Sequence, residues 1–138
     1  MKHENALALA RPQSLSKVKF RGRWRNELNS TMTLHVSGKK VGGRYTSLVS
    51  STGKKVSGPI TGFVSGEVIS FVVSWPRASI TAWVGQMVLE RKRQVIETLW
   101  QMTSQVPDPE NAAELWESVN CGADRFYRVK TVKKRKRK

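Results

Sequence analysis

Residues 68–103 read VISFVVSW, PRA, SITAWVGQMVLE, RKR and QVIETLWQMT, and this stretch decides the fold. Apolar and polar side chains alternate in each of the three longer segments, and this alternation is typical of β-strands with one buried face. Trp75-Pro76 interrupts the first pair of segments, and the charged run from Glu90 to Arg93 separates the second pair. The stretch therefore predicts consecutive strands over Val68 to Trp75, Ser79 to Glu90 and Gln94 to Thr103.

The same pattern continues on both sides of this stretch. Further strands are predicted at Gly22 to Glu27, Thr31 to Ser37, Gly42 to Val49, Gly58 to Val64 and Gly122 to Val129. Val106 to Ser118 instead favours a loop with a short helical turn. Eight strands joined mostly by tight turns are most simply closed into an all-β, antiparallel up-and-down barrel, because closure removes the edge strands. A barrel of this size has room for one small ligand.

The chain has 138 residues and a mass of 15.6 kDa, which suits a single domain. We expect residues 20–129 to form the barrel, residues 1–19 to be loosely ordered and residues 130–138 to be a basic, disordered tail. No apolar run approaches the length of a transmembrane helix, so no membrane association is expected. No export signal is visible in the first nineteen residues.

The formal net charge of +15 invites a nucleic-acid interpretation, because Lys and Arg gain affinity by releasing phosphate counterions. The position of the charges weakens this interpretation. Seven of the 25 basic residues lie in the last nine positions. A weak, salt-sensitive contact with nucleic acid through this tail stays open as an alternative.

Side chains suited to catalysis or to metal binding are scarce. Cys121 is the single cysteine, so it allows neither an internal disulfide nor a thiolate cluster, and we expect a small, half-buried side chain. His3 and His35 have no visible partner, and His35 is expected to face solvent or a neighbouring subunit. No nucleophile motif surrounds any serine. These observations predict a protein that is not an enzyme and has no metal or cofactor.

Side chains two residues apart share one face of a strand, and several of these faces mix aromatic rings with polar groups. If the faces point into one barrel, the rings enclose hydroxyls, one amide and one carboxylate. Buried polar groups need hydrogen-bond partners, and a polar ligand can supply them. The faces carry Asn26, Leu28 and Ser30; Tyr45, Ser47 and Val49; Phe71, Val73 and Trp75; Ser79, Thr81 and Trp83; Trp100 and Met102; and Asp124 and Phe126.

These segments resemble the avidin and streptavidin family from Phe20 to Val129. The first strand, from Gly22 to Thr31, resembles the family pattern Gly-x-Trp-x-Asn-x-Leu-x-Ser. The further matching segments follow in order, and it is their order and spacing together that carry the resemblance. They are Gly43 to Ser47, Gly58 to Gly62, Phe71 to Trp75, Thr81 to Gln86, Thr98 to Thr103 and Gly122 to Phe126.

The resemblance implies a biotin site, with roles that carry over position by position. Asn26, Ser30 and Tyr45 match the donors to the ureido oxygen, and Ser47 and Asp124 match the acceptors for the ureido N–H groups. Thr81 matches the hydroxyl beside the ring sulfur. Ser79, Ser50, Ser51 and Thr52 match the positions that bind the valerate carboxylate. Trp75, Trp83 and Trp100 match the aromatic walls of the site, and Val49 and Met102 match apolar residues that complete those walls. Trp116 matches a residue that reaches into the site of a neighbouring subunit.

The resemblance thus implies tight, reversible biotin binding and a homo-oligomer, a tetramer or alternatively a dimer. It also suggests a secreted or periplasmic protein, although the sequence itself leaves the location unknown. A barrel that carries another small hydrophobic ligand is the main rival hypothesis. The inward polar residues Asn26, Tyr45 and Asp124 argue against this rival.

Overall fold

The computed structural model describes residues 1–10, 19–48 and 53–130. Within them, each strand pairs antiparallel with the next and the last pairs with the first, so that the sheet closes into a barrel. The predicted all-β, eight-stranded up-and-down barrel is confirmed. Its strands are β1 (Gly22–Arg25), β2 (Thr31–Ser37), β3 (Lys40–Ser47), β4 (Val56–Ser65), β5 (Val68–Trp75), β6 (Ser79–Glu90), β7 (Arg93–Ser104) and β8 (Val119–Arg128).

Strand boundaries agree with the sequence pattern except where side chains or pairing override it. β2, β5 and β6 have the predicted limits. β1 ends two residues early, because Asn26 Oδ1 accepts the N–H groups of Leu28 and Ser30 at 3.1 and 3.0 Å and so begins a turn. β8 begins at Val119 rather than Gly122, because Val119 pairs with Thr103 of β7.

One end of the barrel is closed by large side chains. Trp24 is fully buried, and its indole N–H donates to Phe20 O at 2.8 Å. The Arg128 guanidinium lies over the Trp24 ring, 4.3 Å from its centroid, and donates to Arg21 O at 2.7 Å. We call this the closed end, and Phe71 and Phe126 add fully buried rings to the core.

The opposite, open end carries the turns that follow β1, β3, β5 and β7. The last of these connections contains helix α2 (Ala112–Glu117), which confirms the predicted helical turn. Asn111 caps it, since its side chain accepts the N–H groups of Ala113 and Glu114. Its apolar residues Leu115 and Trp116 remain exposed.

The N-terminal residues include a short helix, α1 (His3–Ala8), and none of its residues is buried. The loosely ordered segment over residues 1–19 stays a prediction. Cys121 is exposed rather than half-buried, because its place on β8 points the side chain out of the barrel. His35 is exposed, as predicted. No helix in the described residues has the length and apolar character needed to cross a membrane.

Candidate ligand-binding site

Three polar side chains meet where β1, β2 and β3 reach the open end. Asn26, Ser30 and Tyr45 are all buried, with exposed fractions of 6%, 3% and 4%. Asn26 Nδ2 donates to the Tyr45 hydroxyl at 3.3 Å. Asn26 Oδ1 is used by the turn, so the amide is held with its N–H₂ group turned toward Tyr45. Asn26, Ser30 and Tyr45 form a cluster of hydroxyl and amide groups that can donate hydrogen bonds, which we call the donor cluster.

The protonation state of Tyr45 suits it to this cluster. Burial raises the pKa of the Tyr45 phenol above its ordinary value, and the Asp124 charge raises it further, while the Ser30 hydrogen bond opposes both effects. The phenol therefore stays protonated throughout the neutral range. It keeps an O–H that it can donate.

Aromatic rings surround the Tyr45 side chain. The Trp83 ring is stacked on it with centroids 5.0 Å apart, and the Trp75 ring meets it edge-on at 5.6 Å. On its other side Trp83 stacks on Phe71 at 4.9 Å. Stacked and edge-to-face pairs of this kind fix the rings in place. We call the part of the barrel interior that these rings surround the chamber, and its walls are largely aromatic.

A carboxylate lies beside the donor cluster, on β8, the strand that pairs with β1. Trp83 Nε1 donates to Asp124 Oδ2 at 3.0 Å, and Thr98 Oγ1 donates to the Asp124 backbone carbonyl at 2.9 Å. Burial raises the pKa of Asp124, the Trp83 hydrogen bond lowers it and the Glu27 charge raises it. A carboxylate offers about four lone-pair sites, so Asp124 can accept further N–H donors.

The remaining predicted wall residues line the same half of the barrel. Trp75 Nε1 donates to Thr81 Oγ1 at 2.8 Å, and Met102 is the cross-strand partner of Thr81. Trp100 lies against the backbone of β8. A Cβ on its partner Gly122 would come within 2.7 Å of the indole ring, so only glycine admits the ring in this position. The structure thus brings the three predicted tryptophans together.

The rim of the chamber is less completely described. Ser79 is buried, and its hydroxyl donates to Pro76 O at 3.4 Å. Ser47 is half-buried at the end of β3. Ser30 Oγ accepts the N–H of Leu48 at 3.4 Å, which ties the start of the next loop to the donor cluster. The predicted contacts Val49, Ser50, Ser51 and Thr52 lie outside the described residues.

Two predicted residues lie apart from this chamber. Leu28 sits in the turn after β1 and is 62% exposed, so the expectation that it shares the inward face of Asn26 and Ser30 is wrong. Its contact with a ligand stays a prediction. Trp116 is 78% exposed on α2 and does not enter its own barrel. Both positions belong to connections in which the two-residue alternation no longer applies.

Glu27 and Thr98 matter to the site and were missed by sequence reasoning. Glu27 Oε1 accepts the Arg125 N–H at 2.9 Å, which places its charge beside Asp124 and Tyr45. Thr98 fixes the backbone of Asp124. Thr98 lies two residues before Trp100 on the same face of β7, so the alternation of the strand could have identified Thr98. No sequence pattern pairs Glu27 with Arg125. No group of His, Cys, Asp and Glu suited to a metal ion occurs among the described residues.

A barrel of this topology, with this arrangement of donors, acceptor and rings, has known relatives. The sequence model of the Avidin family matches residues 14–129. This chain belongs to the avidin family. Among characterised relatives, avidin of Gallus gallus is 29% identical over 140 residues, covering 93% of this chain and 90% of that protein. Avidin-related protein 4/5 of Gallus gallus is likewise 29% identical, over 137 residues, covering 92% and 89%.

Solved structures of the avidin type superpose on the same barrel. Xenavidin matches with a TM-score of 0.72 and 28% identity, over 83% of this chain and all of that chain. The rhizavidin-biotin complex matches with a TM-score of 0.69 and 26% identity, over 87% of this chain and 100% of that one. The avidin fold of this chain therefore extends over the barrel and its connections.

Proposed function

We propose that this avidin-family barrel binds biotin tightly and reversibly, without chemical change to the ligand. The observation that carries the proposal is the placement of the donor cluster and Asp124 in one chamber walled by stacked aromatic rings. Biotin combines a flat ureido group with an apolar ring and a carboxylate tail. One relative with the same barrel is a rhizavidin-biotin complex, and another is described as a biotin binding protein from chicken.

In this proposal the ureido group of biotin lies between the donor cluster and Asp124. The oxygen accepts hydrogen bonds from Asn26, Ser30 and Tyr45, and three donors on one oxygen favour its polarised, partly anionic form. Asp124 accepts one ureido N–H, and Ser47 accepts the other. Because the Asn26 amide is oriented by its turn and the Tyr45 ring by its stacking, little side-chain freedom is lost on binding.

The other half of the ligand lies against the walls and the rim. Trp75, Trp83 and Trp100 enclose the bicyclic ring, with Met102 beside them, and the Thr81 hydroxyl lies near the sulfur. Ser79 and the loop after β3 receive the valerate carboxylate. No step in this scheme makes or breaks a covalent bond, so the proposed role is that of a binder rather than an enzyme.

Titration calorimetry with biotin tests the proposal directly. Lipoic acid is the matched control, because it shares a sulfur ring and a pentanoate tail but has no ureido group. Tight binding of biotin and weak binding of lipoic acid is the expected result. Equal affinities would favour the rival carrier of general hydrophobic ligands and contradict the role given to the donor cluster.

We further propose that the binder is a homo-oligomer, with a tetramer as the expected form and a dimer as the alternative. Val84 and Leu99 are cross-strand partners on the outside of β6 and β7, and they are 62% and 70% exposed. Ala123 and Cys121 continue this outward surface on β8. Contiguous apolar surface of this kind is typical of a protein contact. In an oligomer formed through this surface, we expect Trp116 to reach the open end of a second copy.

A further inference from the structure

The charged residues of the barrel are divided between its two ends. The open end carries the cations Lys54, Lys55 and Arg77, but also Glu27 in the turn after β1 and four further carboxylates in the connection between β7 and β8. These four are Asp108, Glu110, Glu114 and Glu117. The closed end is strongly basic instead. Its exposed cations are Lys19 and Arg21 before β1, Lys39 and Lys40 at the β2–β3 turn, Arg91 and Lys92 at the β6–β7 turn, and Lys130 after β8.

Few acidic groups neutralise these cations. Arg125 forms ion pairs with Glu90 and Glu97, and none of the seven cations takes part in either. Glu90 lies near this end but is engaged by Arg125. Glu67, in the β4–β5 turn, is the other carboxylate there. The closed end therefore has a large excess of positive charge.

The chain also leaves the barrel at this end. The N–H of Val129 donates to Arg23 O at 2.8 Å, which holds the last residues of the barrel beside β1. Beyond Lys130 the sequence adds six more Lys and Arg, at positions outside the described residues.

We propose that the closed end is a binding surface for the phosphate backbone of double-stranded nucleic acid. Exposed cations without acidic partners complement phosphates and release counterions on contact. The turns Gly38 to Lys40 and Arg91 to Lys92 contain no aromatic side chain. Phe63, the cross-strand partner of Lys40, is exposed, but one ring offers no row on which successive single-stranded bases could stack. These turns also contain no large apolar side chain of the kind that enters lipid headgroups. The contact is with phosphates and is independent of base sequence.

The fold separates this surface from the candidate biotin chamber. Phe20, Trp24 and Arg128 seal the barrel between the two. Occupation of the chamber therefore leaves the closed end unchanged, and both ligands bind at the same time. Independent binding of the two ligands rests on the proposed function, whereas duplex binding at the closed end does not.

The test measures fluorescence anisotropy of a labelled 20-base-pair DNA duplex with the full chain between 50 and 200 mM salt. The triple variant Lys39→Gln, Arg91→Gln and Lys92→Gln is compared with a matched triple variant at the open end, Lys54→Gln, Lys55→Gln and Arg77→Gln. Both remove three positive charges. Two of the closed-end positions, Arg91 and Lys92, and one of the open-end positions, Arg77, have positive φ, so each variant includes a change at a strained turn.

We expect the closed-end variant to reduce the slope of log affinity against log salt by about 2 to 3, since each phosphate contact contributes about 0.9. The open-end variant should change the slope by less than one, and saturating biotin should not weaken duplex binding. Equal losses in the two variants, or competition between biotin and DNA, would overturn the proposal. So would the absence of duplex binding, or binding only to vesicles that contain phosphatidylserine.

Circular dichroism establishes that each variant is folded before these measurements are compared. A second, smaller variant keeps the proposal testable if the triple variant does not fold. Lys39→Glu combined with Lys92→Glu reverses two charges at exposed turn positions. It is expected to weaken duplex binding at 50 mM salt at least tenfold, and an unchanged affinity would contradict the proposal.

Discussion

Trp83 and Asp124 are joined across the inside of the barrel, because the indole N–H of Trp83 on β6 donates to Asp124 Oδ2 on β8 at 3.0 Å. The bond spans the strand that lies between them, β7. It connects an aromatic wall of the chamber to its main acceptor. Through the stack of Trp83 on Tyr45, it also links the acceptor to the donor cluster. The Trp83 side chain therefore contacts both halves of the candidate site.

Replacing Asp124 by Ala is expected to weaken biotin binding by about 10- to 100-fold, since loss of one partner in a buried hydrogen bond costs about 1–3 kcal/mol. The barrel should still fold, because no apolar wall is removed. Dissociation of biotin, followed by stopped-flow fluorescence, measures the effect. Glu110→Ala removes an exposed carboxylate from the open end and serves as the control. An unchanged dissociation rate in folded Asp124→Ala would exclude Asp124 from the site.

The affinity for the ligand should fall in acid, beginning at a higher pH than an ordinary Asp would give. The ionised Asp124 is the form that accepts ureido N–H groups, and burial raises the pKa of this carboxyl. The affinity for biotin is therefore full above the raised pKa of Asp124, and it is lost as the pH falls through that pKa. Calorimetry between pH 3 and 8 with biotinamide checks this, because that ligand has no titratable tail.

Glu27 supplies a control for the pH profile. Its charge raises the Asp124 pKa, so Glu27→Gln should move the acid loss of affinity to lower pH. Asp124→Asn should flatten the profile altogether. A profile that is the same in wild type and Asp124→Asn would show that another group controls it. Tyr45 stays protonated in this range and does not contribute.

Most of the chamber could be predicted from the sequence because its walls follow the two-residue alternation of strands. Trp83, Trp100 and Asp124 lie on the faces that their parity assigns. Leu28 shows where the rule ends, since the Asn26 side chain terminates β1 and Asn29, with a φ of 63°, helps turn the chain back. The link between Glu27 and Arg125 spans 98 positions and depends on barrel closure, which periodicity does not encode.

Tyr45→Phe is expected to speed biotin release about fivefold to tenfold, because the phenol O–H is lost while the ring contacts with Trp75 and Trp83 remain. The chain offers a matched control in Tyr127, its only other tyrosine. Tyr127 lies under the Arg93 guanidinium on the outside of the barrel. Tyr127→Phe should leave release unchanged, and equal rates for wild type and Tyr45→Phe would contradict the donor role.

Ligand binding and assembly are expected to depend on each other through Trp116. This side chain is 78% exposed on α2 and stands outside its own barrel. In an oligomer it would cover the open end of a neighbouring chamber and slow the escape of biotin. Trp116→Ala should therefore speed release and weaken the oligomer, whereas Lys92→Ala at the closed end should do neither.

Light scattering with and without biotin distinguishes this coupling from two independent effects. The high positive charge opposes close approach of subunits, so biotin should shift the population toward the larger species at low protein concentration. Leu99→Lys places a charge in the exposed apolar surface of β7 and should weaken assembly without touching the chamber. If Trp116 is shared, this variant must release biotin faster as well. A strict monomer that binds biotin as tightly as wild type would refute the shared chamber.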